Sequence, residues 1–311
     1  MTWGWDDCCL ETFSSDDDFS DDDIVFREDE PLSNEYMSKI ASGNNKIFIK
    51  NYNFNSPLEN LPHTCKELFI YSNNFNQQLN NLPYGIEKIT LKGCVKFNQP
   101  VDNLPPTLKK LILMSTIFNQ SIDNLPLGME KLYITSKCFN QRIHQLPNSL
   151  DNLTIISNKF TEIIENLPEG LKSLDLVWTE FNNVIDKLPD KLESLWLPFD
   201  YKEPLPGKMP DSLKFFHVPQ LGLQYLDKKP DAMEVIDIDV QQAFDNVEKL
   251  QNANRIYNAS NKQIMLSIVS SSGLSTIYTR TEPYNNDEEI RWDFINFPMQ
   301  STESVLLIEY C

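Results

Sequence analysis

The sequence predicts a solenoid built from one short parallel β-strand and a loop-like return limb per ~21-residue turn, about ten turns long, with a small α+β domain at its C-terminal end. Three signals predict it, and all keep the same beat. A Phe-Asn pair, or its decayed form, recurs at Phe54, Phe75, Phe97, Phe118, Phe139, Phe160 and Phe181, in steps of 21, 22, 21, 21, 21 and 21 residues. Leu-Pro follows at Leu61, Leu82, Leu104, Leu125, Leu146, Leu167 and Leu188, with Met209-Pro210 one beat later. Between them come two apolar residues one apart: Leu68/Ile70, Ile89/Leu91, Leu111/Leu113, Leu132/Ile134, Leu153/Ile155, Leu174/Leu176, Leu195/Leu197 and Phe216/Val218. The same step extends the series back to Ile47/Ile49 and forward to Ile236/Ile238, so the repeats cover residues 44–239.

Each turn is too short to bury an apolar face by itself, so neighbouring turns must stack and share one core. Written from its strand, the pattern is L-x-x-L-x-L-x-x-x-x-F-N-Q-x-I-x-x-L-P-x-x. The alternation L-x-L has the period of a strand with one face turned inward. Proline after each inward Leu holds that Leu in extended backbone and removes a donor, so the return limb is loop rather than helix. A strand and a loop return per turn describe a solenoid of the leucine-rich-repeat kind.

The stretch "FNQPVDNLPPTLKKLIL" from Phe97 resembles the FNIP repeat, a leucine-rich-repeat relative of amoebae and of the giant viruses that infect them. The resemblance implies a leucine-rich-repeat-like fold and little about activity; some members carry an F-box and others a kinase domain. The copies depart from the pattern where Thr161 replaces Asn and after Leu197, where "PFDYKEPLPGKMP" carries no Phe-Asn. The leucine-rich-repeat asparagine survives at Asn73 and Asn158 alone. The asparagine after each Phe (Asn55, Asn76, Asn98, Asn119, Asn140, Asn182) is expected to supply a substitute side-chain-to-backbone ladder.

Outside the repeats the chain changes character. Residues 1–30 hold twelve acids against Arg27, a local net charge of −11 out of −18 for the whole chain. A segment such as "SSDDDFSDDD" repels itself and buries nothing, so 1–30 reads as a disordered acidic tail. Its roles are solvation, docking to a basic partner, or folding back over the lysines of the repeats. Ser14, Ser15 and Ser20 each have Asp three places on, as acid-directed kinases require. Residues 31–43 read as an N-terminal cap with a short helix begun at Ser33, too short to hold an F-box. In 240–311 the period stops. "VQQAFDNVEKLQNANRIY" puts Val240, Ala243, Phe244, Val247, Leu250 and Ile256 on one helical face. Strands follow around Gly273, in "EIRWDFINF" and in "SVLLIEY", so this part reads as a small α+β capping domain.

Composition narrows the function. Nineteen prolines against nine glycines fit a proline-punctuated solenoid, and no glycine-rich phosphate loop occurs. No apolar run approaches 18 residues, and "MTWGWDDCC" lacks the features of a leader, so neither membrane span nor signal peptide is expected. Cys8, Cys9, Cys65, Cys94, Cys138 and Cys311 show no metal spacing, and Cys65, Cys94 and Cys138 read as reduced thiols in or beside the core. The expected compartment is intracellular and cytoplasmic, the host cytoplasm if the chain is viral. His63, His144 and His217 lie turns apart, and Asp102, Asp123 and Glu165 recur as loop carboxylates before Leu-Pro, so no catalytic cluster, metal site or cofactor is expected.

What remains is a surface. Residues between the inward pair point outward: Phe48, Phe69, Thr90, Ile112, Tyr133, Thr154, Asp175, Trp196, His217 and Asp237 form one column, and Lys50, Tyr71, Lys92, Met114, Thr135, Ile156 and Val177 the next. The preceding column holds Lys46, Glu67, Lys88, Lys110 and Lys131. Aromatic anchors rimmed by lysines suit protein binding. The candidate contact residues are Phe48, Phe69, Tyr71, Ile112, Met114, Tyr133, Ile156, Val177, Trp178 and Trp196, with Tyr133, Ile112 and Met114 expected as one exposed patch and Trp196 and Trp178 as another. The expected function is a monomeric, non-enzymatic scaffold or adaptor binding a protein on the strand (concave) face, with no nucleic acid or membrane partner. The alternative is an enzyme or regulatory module in 240–311 carried by the repeats.

Overall fold

The computed structural model describes residues 24–26, 45–59, 61–176, 178–198, 201–217, 235–237, 255–258, 264–271 and 274–278. Ten strands lie where the apolar pairs place them: β2 (Lys46–Lys50), β3 (Glu67–Tyr71), β4 (Lys88–Lys92), β5 (Lys110–Met114), β6 (Lys131–Thr135), β7 (Asn152–Ile156), β8 (Ser173–Asp175), β9 (Ser194–Trp196), β10 (Phe215–His217) and β11 (Val235–Asp237). They are preceded by β1 (Ile24–Phe26) and followed by β12 (Arg255–Asn258), β13 (Ile264–Ser271) and β14 (Leu274–Tyr278). All fourteen form one sheet in chain order. β1 to β12 run parallel, and β13 and β14 are antiparallel additions. Eight complete turns separate β2 from β10.

The core follows from alternation. At each strand the two inward residues are almost fully buried, from Ile47 and Ile49 through Leu111 and Leu113 to Leu195 and Leu197. The ladder is in register, so each inward residue meets its own equivalent in the next turn, as Leu132 meets Leu153 and Ile134 meets Ile155. Behind the strands stands a spine of rings. Phe54, Phe75, Phe97, Phe118, Phe139, Phe160 and Phe181 stack with centroids 5.7, 5.9, 6.1, 6.0, 5.8 and 6.0 Å apart and planes within 17° of parallel. The stack does not end with the Phe-Asn signal. Tyr201 continues it, 6.0 Å from Phe181, and its hydroxyl donates to the Asn183 carbonyl at 3.1 Å. The turn that lacks Phe-Asn therefore keeps the ring, written Tyr-Lys.

The return limb stays out of helix for the reason that proline gives. The carbonyl of each Leu-Pro proline accepts from the amide three residues on: Cys65 to Pro62, Ile86 to Pro83, Leu108 to Pro105, Met129 to Pro126, and so on to Leu213 and Pro210. Each is a β-turn that delivers a fully buried residue to the start of the next strand. Polar side chains then tie turn to turn. Asn55 Oδ1 accepts from the Asn76 amide at 2.8 Å, and the chain of such bonds runs Asn98 to Asn76, Asn119 to Asn98, Asn140 to Asn119 and Thr161 to Asn140, each at 2.9–3.0 Å. The expected asparagine ladder is present. Thr161 ends this run, and Asn182 resumes it by accepting from the Lys202 amide.

A second ladder escaped the sequence reading. The hydroxyls of Ser72, Ser115, Ser136 and Ser157 are buried and donate to the carbonyls of Phe54, Phe97, Phe118 and Phe139 at 2.7–2.8 Å. Each also accepts the amide two residues on. Asn73 and Asn158, one place further along, are exposed, so serine takes the inward hydrogen-bonding position beside them. Cys94 fills the serine position in its turn, with Sγ 3.6 Å from the Ile70 carbonyl. That turn has 22 residues, and Gly93, at φ +63°, absorbs the extra one. A Cβ there would come within 3.0 Å of the Tyr71 ring.

Two expectations change. Ile24–Phe26, read as part of the disordered tail, pairs with β2, because its apolar triplet matches Ile47–Ile49 in period. Arg255–Tyr257, read as the end of a helix, pairs parallel with β11, and Ile256 aligns with Ile236 rather than with a helical stripe. The hairpin around Gly273 is present as β13 and β14. The cap at 31–43, most of the expected helix, and "EIRWDFINF" and "SVLLIEY" lie outside the described residues.

Phe118→Ala or Phe139→Ala is expected to cost about 3–5 kcal/mol in chemical denaturation, as truncating a fully buried ring does. Ser136→Ala should cost about 1–3 kcal/mol by leaving the Phe118 carbonyl without its donor. Deleting 1–30 removes β1 and should lower the melting temperature below that of a chain lacking 1–23 alone; equal melting of both deletions would show that β1 adds nothing.

Candidate protein-binding face

The outward columns of the strands are aligned by the same register that aligns the core. Phe48, Phe69, Thr90, Ile112, Tyr133, Thr154, Asp175 and Trp196 are successive ladder partners, and His217 and Asp237 continue the column at β10 and β11. At the N-terminal end four rings gather. Phe48 and Phe69 lie 5.7 Å apart with planes tilted by 42°, and Tyr71 meets Tyr52 edge-on at 5.3 Å. All four keep solvent contact, Tyr52 the most. Partial burial, and then the hydrogen bond with Tyr52, raise the Tyr71 phenol above its ordinary range.

The middle of the face is drier than alternation alone suggests. Ile112 is 3% exposed, Met114 8% and Ile156 7%, and Thr90 and Thr135 are buried beside them. These were expected to be exposed contact residues. Ile112 stands between Thr90 and Tyr133 across the ladder and between Lys110 and Met114 along its own strand. Parallel strands about 4.8 Å apart let neighbours of that size shade a branched side chain from solvent. Of the expected patch Tyr133, Ile112 and Met114, only Tyr133 keeps appreciable surface.

Further along, Trp196 is partly exposed, with its indole N–H donating to Ser194 Oγ at 2.7 Å. Trp178 is 43% exposed in the turn after β8, where its carbonyl accepts from the Ser157 amide. Val177 lies outside the described residues, and buried Ile156 adds little surface between the two indoles. The aromatic surface is thus split into a cluster on β2–β3, Tyr133 in the centre, and the tryptophans toward β9.

Charge is distributed in two columns of opposite design. The residues immediately before the strands form ion pairs between turns: Lys66–Glu87 at 2.9 Å, Lys109–Glu130 at 3.3 Å, Asp151–Lys172 at 3.7 Å and Glu193–Lys214 at 3.0 Å. The sequence signal for it, opposite signs 21 residues apart, is plain once the strand register is known. Lys66 holds the Glu87 carboxyl below its usual range, chiefly by direct hydrogen bonding. The first strand position differs. Glu67 pairs with Lys46 and Lys88 at 3.5 Å each, but Lys88, Lys110 and Lys131 are consecutive ladder partners. Burial, with Lys88 and Lys131 on either side, holds the Lys110 ammonium below the ordinary lysine range.

Among the described residues no group of His, Cys, Asp and Glu is placed to hold a metal ion, and no helix is long and apolar enough to cross a membrane. Arg142 and His144 gather on Glu165 at 2.5 and 3.5 Å in one exposed loop cluster. Cys65 occupies the buried position after the Leu-Pro turn and Cys94 the serine position, and burial pushes both thiols up to about 12. Cys138 is exposed.

No protein-family model and no curated protein matches the chain. Among solved structures it is similar to CroV588, described as a novel circular LRR protein, with a TM-score of 0.51 and 22% identity over 70% of this chain. The match spans 37% of the length of that protein. At this identity the likeness concerns the fold, and together with the parallel ladder it defines a leucine-rich-repeat-like β-solenoid.

With Cys8, Cys9 and Cys311 replaced by serine, a thiol reagent at pH 8 is expected to modify Cys138 rapidly and to reach Cys65 and Cys94 only on unfolding, because thiols shifted to about 12 hold almost no thiolate. Rapid modification of all three in the folded chain would contradict the buried assignment.

Proposed function

We propose that this chain is a non-enzymatic protein-interaction scaffold of the FNIP-repeat type, working inside the cell and binding a protein partner on the strand face of its solenoid. The observation that carries the reading is the series of partly exposed rings along that face, Phe48, Phe69 and Tyr71, then Tyr133, then Trp196, with Trp178 exposed in the turn after β8. Aromatic side chains offer large contact area for little lost conformational freedom and dominate the energetics of protein interfaces. They stand on strands whose core residues are locked turn to turn, so the surface is presented without reorganisation. The FNIP assignment rests on the repeated "FNQ" and "NLP" signals with their 21-residue step.

The test is capture by the tagged full chain, followed by substitution. Phe69→Ala, Tyr133→Ala and Trp196→Ala are each expected to weaken a captured partner by about 2 kcal/mol or more if they are hot spots. Their melting temperatures should stay near that of the parent chain. Undiminished binding by all three variants would place the interaction elsewhere and overturn the reading.

A further inference from the structure

We infer that the basic column Lys88–Lys110–Lys131 is the docking site of the chain's own acidic N-terminal segment, Asp16–Asp23. This docking goes beyond the proposed function and stands on separate observations. The first is electrostatic. Column by column, this solenoid pairs its charges between turns, as in Lys66–Glu87 and Glu193–Lys214. Lys110 and Lys131 break that habit, having no ion-pair partner among the described residues and like charges as ladder neighbours. Like charges directly opposite each other destabilise a sheet, so the column leaves a positive potential that an anionic segment would relieve.

The second observation is where the acidic segment begins. β1 pairs with β2 in the register Ile24↔Ile47, so the chain before Ile24 enters the sheet at the end where Lys46, the first residue of β2, lies. That is the end carrying Lys88, Lys110 and Lys131, each the first residue of its strand. The third observation is reach. Crossing from β1 to β6 takes five strand spacings, about 24 Å, and eight extended residues span about 26 Å. Asp16–Asp23 is eight residues long and contains six aspartates. A segment laid perpendicular to the strands along their first positions therefore meets all three lysines in turn. Its net charge is opposite, and it is tethered at the edge of its site, so its effective concentration there is high. Phosphate on Ser14, Ser15 or Ser20 would tighten the docking by adding charge to the same segment.

Zero-length carbodiimide coupling of the full chain at low salt, mapped by mass spectrometry, tests this. Amide links from Asp16–Asp23 are expected to concentrate on Lys88, Lys110 and Lys131, and to fall at least about fivefold in 1 M salt, where the screening length is about 3 Å. The double variant Lys110→Gln/Lys131→Gln should lose the remaining links while melting as the parent does; should it misfold, the salt comparison on the unaltered chain still decides. Links spread evenly over exposed lysines such as Lys137, Lys159 and Lys172, or formed between isotopically distinct chains, would overturn the proposal. So would a labelled single-stranded oligonucleotide bound by the full chain and released by the double variant, since the column would then be an open polyanion site. The two readings fail separately. Column-specific links with partner capture unaffected by Phe69→Ala, Tyr133→Ala and Trp196→Ala would leave the docking intact and remove the strand face as the partner's site.

Discussion

Everything in this protein depends on one constraint: a turn of about 21 residues has no interior until another turn is laid on it. The contact that enforces it is the ring-on-ring stack from Phe54 to Tyr201, buried over its whole length. Each ring fixes the height of its turn against the next, and the strand ladder, the Leu-Pro β-turns and the asparagine and serine ladders all fall into line at the same step. The ring stack, the strand ladder and the asparagine ladder therefore join each residue to its own equivalent. A local defect costs two interfaces and is felt little elsewhere, which is how Thr161 can interrupt the asparagine ladder while the rings on either side remain stacked.

The same principle explains what the sequence shows and what it hides. Periodicity reports positions that must be identical, so all ten strands from β2 to β11 were legible from paired apolar residues alone. It reports poorly on positions where chemistry is conserved in kind and not in letter. Tyr201 does the work of Phe without its signature, and Ser72, Ser115, Ser136 and Ser157 look like ordinary loop serines until the Phe carbonyls are seen beneath them. β1 was hidden by composition, since three apolar residues set among aspartates read as an interruption of a tail. The candidate face was half legible. Alternation gave the outward direction of Ile112, Met114 and Ile156 correctly, but direction is not exposure where neighbours stand a strand spacing away.

Surface chemistry divides along the turn in the same orderly manner. Immediately before the strands, four lysines and four carboxylates pair off between turns, with Glu130 and Asp151 the one like-charged step. Such exposed pairs add little stability individually, but they keep that ridge electrically quiet. One residue further on, the strand face carries aromatic rings at one end, indoles toward the other and three adjacent lysines between. A face that is quiet at its border and charged within it confines recognition to a strip a few residues wide.

The rings carry one more piece of geometry. Equivalent points in successive turns are displaced by the local repeat distance, and at the ring spine that distance is 5.7–6.1 Å. At the strands it is held to about 4.8 Å by backbone hydrogen bonding. Each turn is therefore a wedge, thicker by about 1 Å at the ring than at the strand, a geometry that biases the stack to bend toward its sheet. Phenylalanine is the keystone that sets the bend: a thinner aliphatic residue at the same position would straighten the rod. Bending toward the sheet would bring its outward side chains closer together and turn the row of rings and lysines toward a common centre.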